Sequence, residues 1–171
     1  MRCRAEAAGD VVRLLREKGL TLALAESCTA GLVADSIACV PGASNVFWGS
    51  FVSYRVEAKA AMLGIDRTMV ERYGVVSGET ARMMAEGALE KSGASLAASV
   101  TGLAGPDGDD RGTPVGTVWM AVAVRENGVS HGMSGNVSPR VRVEHFCYEG
   151  DRATIREAAA VDVLKLVLSV L

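Results

Sequence analysis

The chain has little with which to hold nucleic acid, a membrane or a metal. Its 18 Lys and Arg against 20 Asp and Glu leave a net charge of −2, and aromatic residues make up only 5%. The basic residues are scattered, with no basic stripe and no interleaved aromatics, so a nucleic-acid partner or an anionic surface is not expected. No window approaches the roughly 18 uninterrupted apolar residues of a transmembrane span, because Asp162 and Lys165 break the final apolar stretch, Val161 to Leu171. Arg2, Arg4, Glu6, Asp10 and Arg13 deny the N-terminus the apolar core of a signal peptide, which makes a cytoplasmic location the expectation. The four cysteines, Cys3, Cys28, Cys39 and Cys147, form no C-x-x-C pair and no metal spacing with His131 and His145. Reduced thiols and no metal site are expected.

What is present is an ordinary apolar core. With 171 residues, 49% hydrophobic and 22% charged, the chain fits one domain over residues 1–171. Ala8, Val11, Val12 and Leu15 line one face of a helix over residues 5–18, stopped by Gly19. The run Leu20 to Leu24 reads as a buried strand, followed by a helix carrying Leu32, Val33, Ile37 and Val40 and closed by Pro41-Gly42. Residues 46–54 are apolar on both faces and predict an interior strand. Short helices are expected from Glu57 to Leu63 and from Arg67 to Tyr73, and a longer one after the N-cap Ser77, closed by Gly93. A compact strand from Leu96 to Thr101 precedes a Gly/Pro/Asp-rich loop over residues 102–114. Strands at 115–124, about 128–136 and 140–147, then a helix capped by Asp151, complete the chain. This alternation predicts an α/β domain with a mixed, mostly parallel sheet.

The most informative stretch is Ala25-Glu26-Ser27-Cys28-Thr29-Ala30-Gly31, at a strand-to-helix turn. Ser27 there is a candidate nucleophile beside unpaired backbone N–H groups near Cys28, Thr29 and Ala30, which would hold an oxyanion or a phosphate. Serines at such turns are more commonly plain N-caps. A nucleophilic serine needs a base. His131 lies in a turn-like context and His145 on the more apolar face of its strand, where a histidine is more often a packing residue. Lys59 is the other candidate, provided its surroundings depress its pKa, although most lysines are simply solvated. Tyr54, at a strand end, would relay a proton. Cys28 is a rival nucleophile, since a helix N-terminus activates a thiolate. The small residues of the segment 99–106 let backbone approach an anion, without matching a P-loop or G-x-G-x-x-G. Ser27, Tyr54 and residues 102–106 each follow the carboxyl end of a strand, the rim where open α/β sheets bind ligands.

At these residues the chain resembles the nicotinamide-nucleotide amidohydrolases (PncC), equivalent to the C-terminal domain of the competence/damage-inducible protein CinA. The matching segments are Ala25 to Thr29, Pro41 to Ser44, Val52-Ser53-Tyr54 with Glu57-Ala58-Lys59, Gly74 to Ser77, and Val100 to Pro106. Pro114 to Val118 and Gly150-Asp151-Arg152 with Ile155-Arg156 complete a set that runs in family order over most of residues 7–170. The resemblance implies a three-layer α/β/α sandwich in a standalone form, often oligomeric and without metal or other cofactor. It also implies hydrolysis of the carboxamide of nicotinamide mononucleotide to nicotinate mononucleotide and ammonia. Ser27 would be the nucleophile, Lys59 and Tyr54 the proton-handling residues, and Thr101, Gly102, Gly105 and Arg152 would bind the nucleotide.

Departures from the family pattern are Ala30, commonly Gly, and Val56, commonly Asn, three residues before Lys59. The acidic stretch Asp107 to Arg111 would discourage a phosphate wherever it faces the pocket. Val56 sustains a second reading, a catalytically silent nucleotide-binding or regulatory protein on the same scaffold.

Overall fold

The computed structural model describes residues 3–125 and 138–171. The run after Gly19 forms strand β1 (Leu22–Glu26), every residue of which is buried. A 3-10 turn, Ala43–Asn45, leads into β2 (Phe47–Val52), which pairs parallel with one side of β1. On the other side lies β3 (Leu96–Gly102), also parallel. Strands β4 (Thr117–Val124) and β5 (Arg140–Cys147) follow through antiparallel pairings, in the order β2-β1-β3-β4-β5. Four strands therefore run one way and β4 runs against them, as expected of a mixed, mostly parallel sheet.

Helices cover both faces. On one side α1 (Arg4–Lys18), α2 (Leu32–Ala38) and α6 (Arg152–Leu168) pack on Leu22, Leu24, Leu96, Val100, Val118, Met120 and Val122. On the other, α3 (Val56–Leu63), α4 (Arg67–Tyr73) and α5 (Gly78–Ser92) pack on a face of small residues, Ala23, Ala25, Ala97, Ala121 and Ala123. The result is a three-layer α/β/α sandwich. Alternation along each strand sends branched side chains to one face and alanines to the other, so α5 beds closely on the sheet. At Gly87 of α5 a Cβ would lie 2.4 Å from the Leu63 carbonyl oxygen, so glycine is what lets α5 meet the end of α3. That contact fixes the helix that carries Lys59. The expected caps are in place, with Ser77 Oγ accepting from the Thr80 N–H and Asp151 from the Thr154 N–H.

One expectation is overturned. Residues 46–54 do not supply an interior strand, because β2 is the edge of the sheet. Trp48 is 52% and Val52 41% exposed, and the Trp48 ring stacks on Phe51 at 5.2 Å. Apolar residues on both faces show only that a strand can be covered, and here part of that surface is left to solvent. The strand expected near 128–136, with His131, lies outside the described residues.

Candidate functional site

Parallel strands β1, β2 and β3 end on the same rim, and the segments that leave their carboxyl ends meet there. After β1 the chain turns sharply through Ala30 (φ 50°) and Gly31 (φ 97°) into α2. Ala30 thus occupies the left-handed region that glycine enters most easily. The turn is organised by Glu26, only 1% exposed. One carboxylate oxygen accepts from the Thr29 hydroxyl (2.8 Å), the Gly31 N–H (2.9 Å) and the Val33 N–H (3.1 Å). The other accepts from the Ala34 N–H (2.9 Å) and the Ser50 hydroxyl (3.1 Å). The start of α2 is therefore filled from within the protein and offers no phosphate site, contrary to the sequence expectation. The Ala30 N–H is also spent, on the Ser27 carbonyl at 3.1 Å, so it is not an oxyanion donor. Cys28 and Thr29 keep backbone N–H groups that donate to no other residue's oxygen among the described residues. The opposite side of the turn is held by Arg156, whose Nε and Nη2 donate to the carbonyls of Cys28 (3.0 Å) and Thr29 (2.7 Å).

Ser27 and Lys59, 32 residues apart, come together in the interior. Lys59 Nζ lies 3.0 Å from Ser27 Oγ, and also donates to the Ser53 carbonyl at 2.7 Å and the Tyr54 carbonyl at 3.5 Å. Lys59 has no exposed surface and Ser27 is 6% exposed. Burial disfavours the ammonium and lowers the Lys59 pKa from 10.5 to about 8. Burial also pushes the Cys28 thiol up to about 11, which disfavours a thiolate near neutrality. The Ser53 hydroxyl, beside the carbonyl that Lys59 uses, is buried without a hydrogen-bond partner.

A cleft of about 400 Å³ opens over this pair. Ser27 and Cys28 form part of its lining, with Tyr54 and Arg152 along one side and Val75 and Val76 among its apolar residues. The loop after β3 contributes Gly102 to Gly105 and the acidic residues Asp107, Asp109 and Asp110. Gly102 and Gly105 line the cleft, but they are glycines for packing. A Cβ at Gly102 would stand 2.7 Å from the Thr117 carbonyl oxygen, and one at Gly105 2.8 Å from Val115. Thr101 does not line the cleft. It is fully buried and donates to the Val75 carbonyl at 2.9 Å, so it positions the wall instead of contacting a ligand. Thr29 and Ala30 are likewise absent from the lining.

Tyr54 is half exposed, and its hydroxyl accepts from Arg152 Nη2 at 2.7 Å. Arg152 Nη1 donates to the Gly105 carbonyl at 2.8 Å. Both acceptors are neutral, and no carboxylate pairs with Arg152 among the described residues. Asp109 is consumed by the loop itself, accepting from the N–H groups of Arg111 and Thr113 and the Thr113 hydroxyl, which hold its carboxyl below the usual range. Arg111 ties the loop to the carbonyls of Glu71 and Arg72 at the end of α4. Val56 packs against the α5-side core at the start of α3. His145 is exposed on β5, stacked on Trp119 at 4.4 Å and separated from β1 by two strands, so it is not the base. Among the described residues no group of three or more His, Cys, Asp or Glu side chains is placed to hold a metal ion. No helix there is long and apolar enough to cross a membrane.

The model of the CinA C-terminal domain matches residues 4–171. The chain belongs to this family. A CinA-like protein of Geobacter sulfurreducens is 46% identical over 154 residues, covering 90% of this chain and 34% of its own length. A CinA-like protein of Akkermansia muciniphila is 44% identical over 147 residues, covering 86% and 33%. The chain thus spans about a third of the length of the curated relatives it matches. Among solved structures, a competence/damage-inducible protein from Agrobacterium tumefaciens superposes with a TM-score of 0.87 at 34% identity, covering 97% of this chain and 94% of that one. A CinA superfamily protein from Escherichia coli gives 0.88 at 28% identity, covering 98% and 90%. Two side chains that the sequence reading assigned no role, Glu26 and Arg156, both sit inside the family segments. A carboxylate ending an otherwise apolar strand was the visible signal for Glu26, since a buried charge requires partners.

Proposed function

We propose that the chain is a serine amidohydrolase that converts nicotinamide mononucleotide and water to nicotinate mononucleotide and ammonia. The observation that carries this reading is the buried Lys59 amine, 3.0 Å from Ser27 Oγ with its pKa lowered to about 8. An ordinary lysine is almost wholly protonated at neutral pH, whereas a pKa near 8 leaves about a tenth of the amine free to act as a base.

In this reading neutral Lys59 takes the Ser27 proton as Oγ bonds to the amide carbon, and the backbone N–H of Cys28, which lines the cleft, receives the oxyanion. Collapse of the tetrahedral intermediate breaks the C–N bond, and the Lys59 proton passes to the departing nitrogen, releasing ammonia. Lys59 then deprotonates a water as it attacks the acyl carbon, and that proton returns to Ser27 as the carboxylic acid leaves and ionises in the solvent. The protonated amine is well accommodated, with the Ser27 oxygen and the carbonyls of Ser53 and Tyr54 around its three hydrogens.

The polarity of the cleft supports a ligand with separated charges. Arg152 lines the cleft without a carboxylate partner among the described residues and is the phosphate anchor in this reading. Asp107 and Asp110 line the cleft together with Arg111 of the same loop, and in this reading the carboxylates face the cationic pyridinium ring while Arg152 takes the phosphate. The assay is ammonia release from the nucleotide without added metal, comparing wild type with Ser27→Ala and Cys28→Ala. Release should vanish in the first variant and persist within a few-fold in the second. A folded wild type that releases no ammonia, yet melts higher with the nucleotide, would make it a binding protein instead.

A further inference from the structure

Arg152 and Arg156 stand one turn apart on α6, and the proposed reaction uses only the first. Arg156 is partly buried, pairs with no carboxylate among the described residues, and directs its guanidinium at two consecutive peptide carbonyls, Cys28 and Thr29. In a planar trans peptide the C=O and the following N–H point in opposite directions. Holding the Cys28 carbonyl therefore turns the Thr29 N–H away from Arg156. Holding the Thr29 carbonyl does the same to the Ala30 N–H, which indeed closes the turn on the Ser27 carbonyl. The competing donors are removed by other partners: Ser27 N–H donates to the Val100 carbonyl, and the N–H groups of Gly31 and Val33 donate to Glu26.

We propose that Arg156 is a positioning residue for the oxyanion hole: by holding the Thr29 carbonyl it keeps the Ala30 N–H on the Ser27 carbonyl, and so fixes the Ser27–Cys28 peptide plane that presents the Cys28 N–H beside Ser27 in the cleft. The proposal rests on the Ser27 acyl-enzyme reading. The guanidinium fork suits two neighbouring carbonyls as the single ammonium of lysine does not. Its charge also polarises the peptides it holds, and the Ala30 N–H to Ser27 carbonyl hydrogen bond carries that polarisation to the peptide of the Cys28 N–H.

The test uses the full chain with Arg156→Ala and Arg156→Lys and two readouts. One is ammonia release from nicotinamide mononucleotide. The other is acylation by p-nitrophenyl acetate, in which Ser27 Oγ bonds to the acetyl carbon, its proton goes to Lys59 and p-nitrophenolate leaves, followed by intact mass. Acylation and kcat should fall about 10²-fold in Arg156→Ala, the scale of losing an oxyanion donor, with KM changed by no more than a few-fold. The apparent pKa of the rate should stay at its wild-type value, because Lys59 is untouched. Added guanidinium ion should restore part of the rate, and Arg156→Lys should remain impaired. The proposal is overturned if Arg156→Ala acylates at the wild-type rate. It is equally overturned if the loss resists guanidinium and comes with a shifted pH profile, or if wild type is not acylated at Ser27. A wild type that acylates but releases no ammonia refutes the nucleotide substrate while leaving the acylation series to judge Arg156.

Discussion

Lys59 Nζ lies 3.0 Å from Ser27 Oγ without any exposed surface of its own, so an amine is stored in the interior beside a hydroxyl. This arrangement has a cost in stability that depends on pH. Folding lowers the Lys59 pKa from 10.5 to about 8, so between those values the unfolded chain binds more protons than the folded one. Stability contributed by this group therefore rises with pH through that window, and the penalty is fully present below it.

Lys59→Met is expected to lower kcat by about 10²–10⁴-fold, the usual worth of a general base. The same variant should melt at a higher temperature than wild type at neutral pH, since it removes a buried charge. That advantage should shrink as pH rises from about 8 towards 10.5. In wild type, kcat/KM should climb with pH and level off above about 8. Melting curves and rate profiles over the same pH series check both statements, and a pH-independent stability difference would remove Lys59 as the titrating group.

The architecture was legible because helix and strand periods are written in the placement of Leu, Val and Ala, and because glycines and caps punctuate the chain. The edge position of β2 was not, since covering a strand depends on where helices of distant sequence settle. At the site, Arg152 came only from the family resemblance, whereas Ser27, Tyr54 and the loop of residues 102–106 were visible as segments on one rim. The depressed pKa of Lys59 was not, because it arises from burial contributed by the ends of β1 and β2 together. The internal capping of α2 by Glu26 was equally hidden, for an orphan N–H looks the same in sequence whether a ligand or a neighbouring side chain satisfies it. The acidic loop was read as a charge run, while its own hydrogen bonds consume Asp109 and leave Asp107 and Asp110 as the acidic charges at the cleft, beside Arg111 and Arg152.

Glu26→Gln tests that internal cap. The carboxylate accepts five hydrogen bonds and an amide cannot, because its NH2 group turns donor towards donor. Hydroxyls can turn to accept from the amide NH2, but at least one backbone N–H, that of Ala34, loses its acceptor in the better orientation, and two, those of Gly31 and Val33, in the other. An unsatisfied donor costs about 1–3 kcal/mol. The variant should therefore be destabilised by at least about 1 kcal/mol in denaturant titration, with an unchanged m-value if it stays two-state. Its Ser27 should acylate more slowly, because the turn that aims it has lost its anchor. A variant as stable as wild type would show that the α2 N-terminus does not depend on this carboxylate.

Arg152→Ala separates the phosphate from the amide. In the proposed function its guanidinium meets the phosphate of the nucleotide, while Ser27 and Lys59 act on the carboxamide at the other end. A charge-assisted hydrogen bond of this kind is worth about 1.5–3 kcal/mol. KM for nicotinamide mononucleotide should consequently rise by about 10–100-fold, with kcat altered much less. For nicotinamide riboside, which carries the same ring and amide without the phosphate, wild type and variant should differ little. Arg152 also donates to the Tyr54 hydroxyl and the Gly105 carbonyl, so it braces the cleft between the ends of β2 and β3. A bracing role alone would slow the riboside and the nucleotide alike. Parallel losses on both substrates would therefore assign Arg152 to the wall and leave the phosphate to another group.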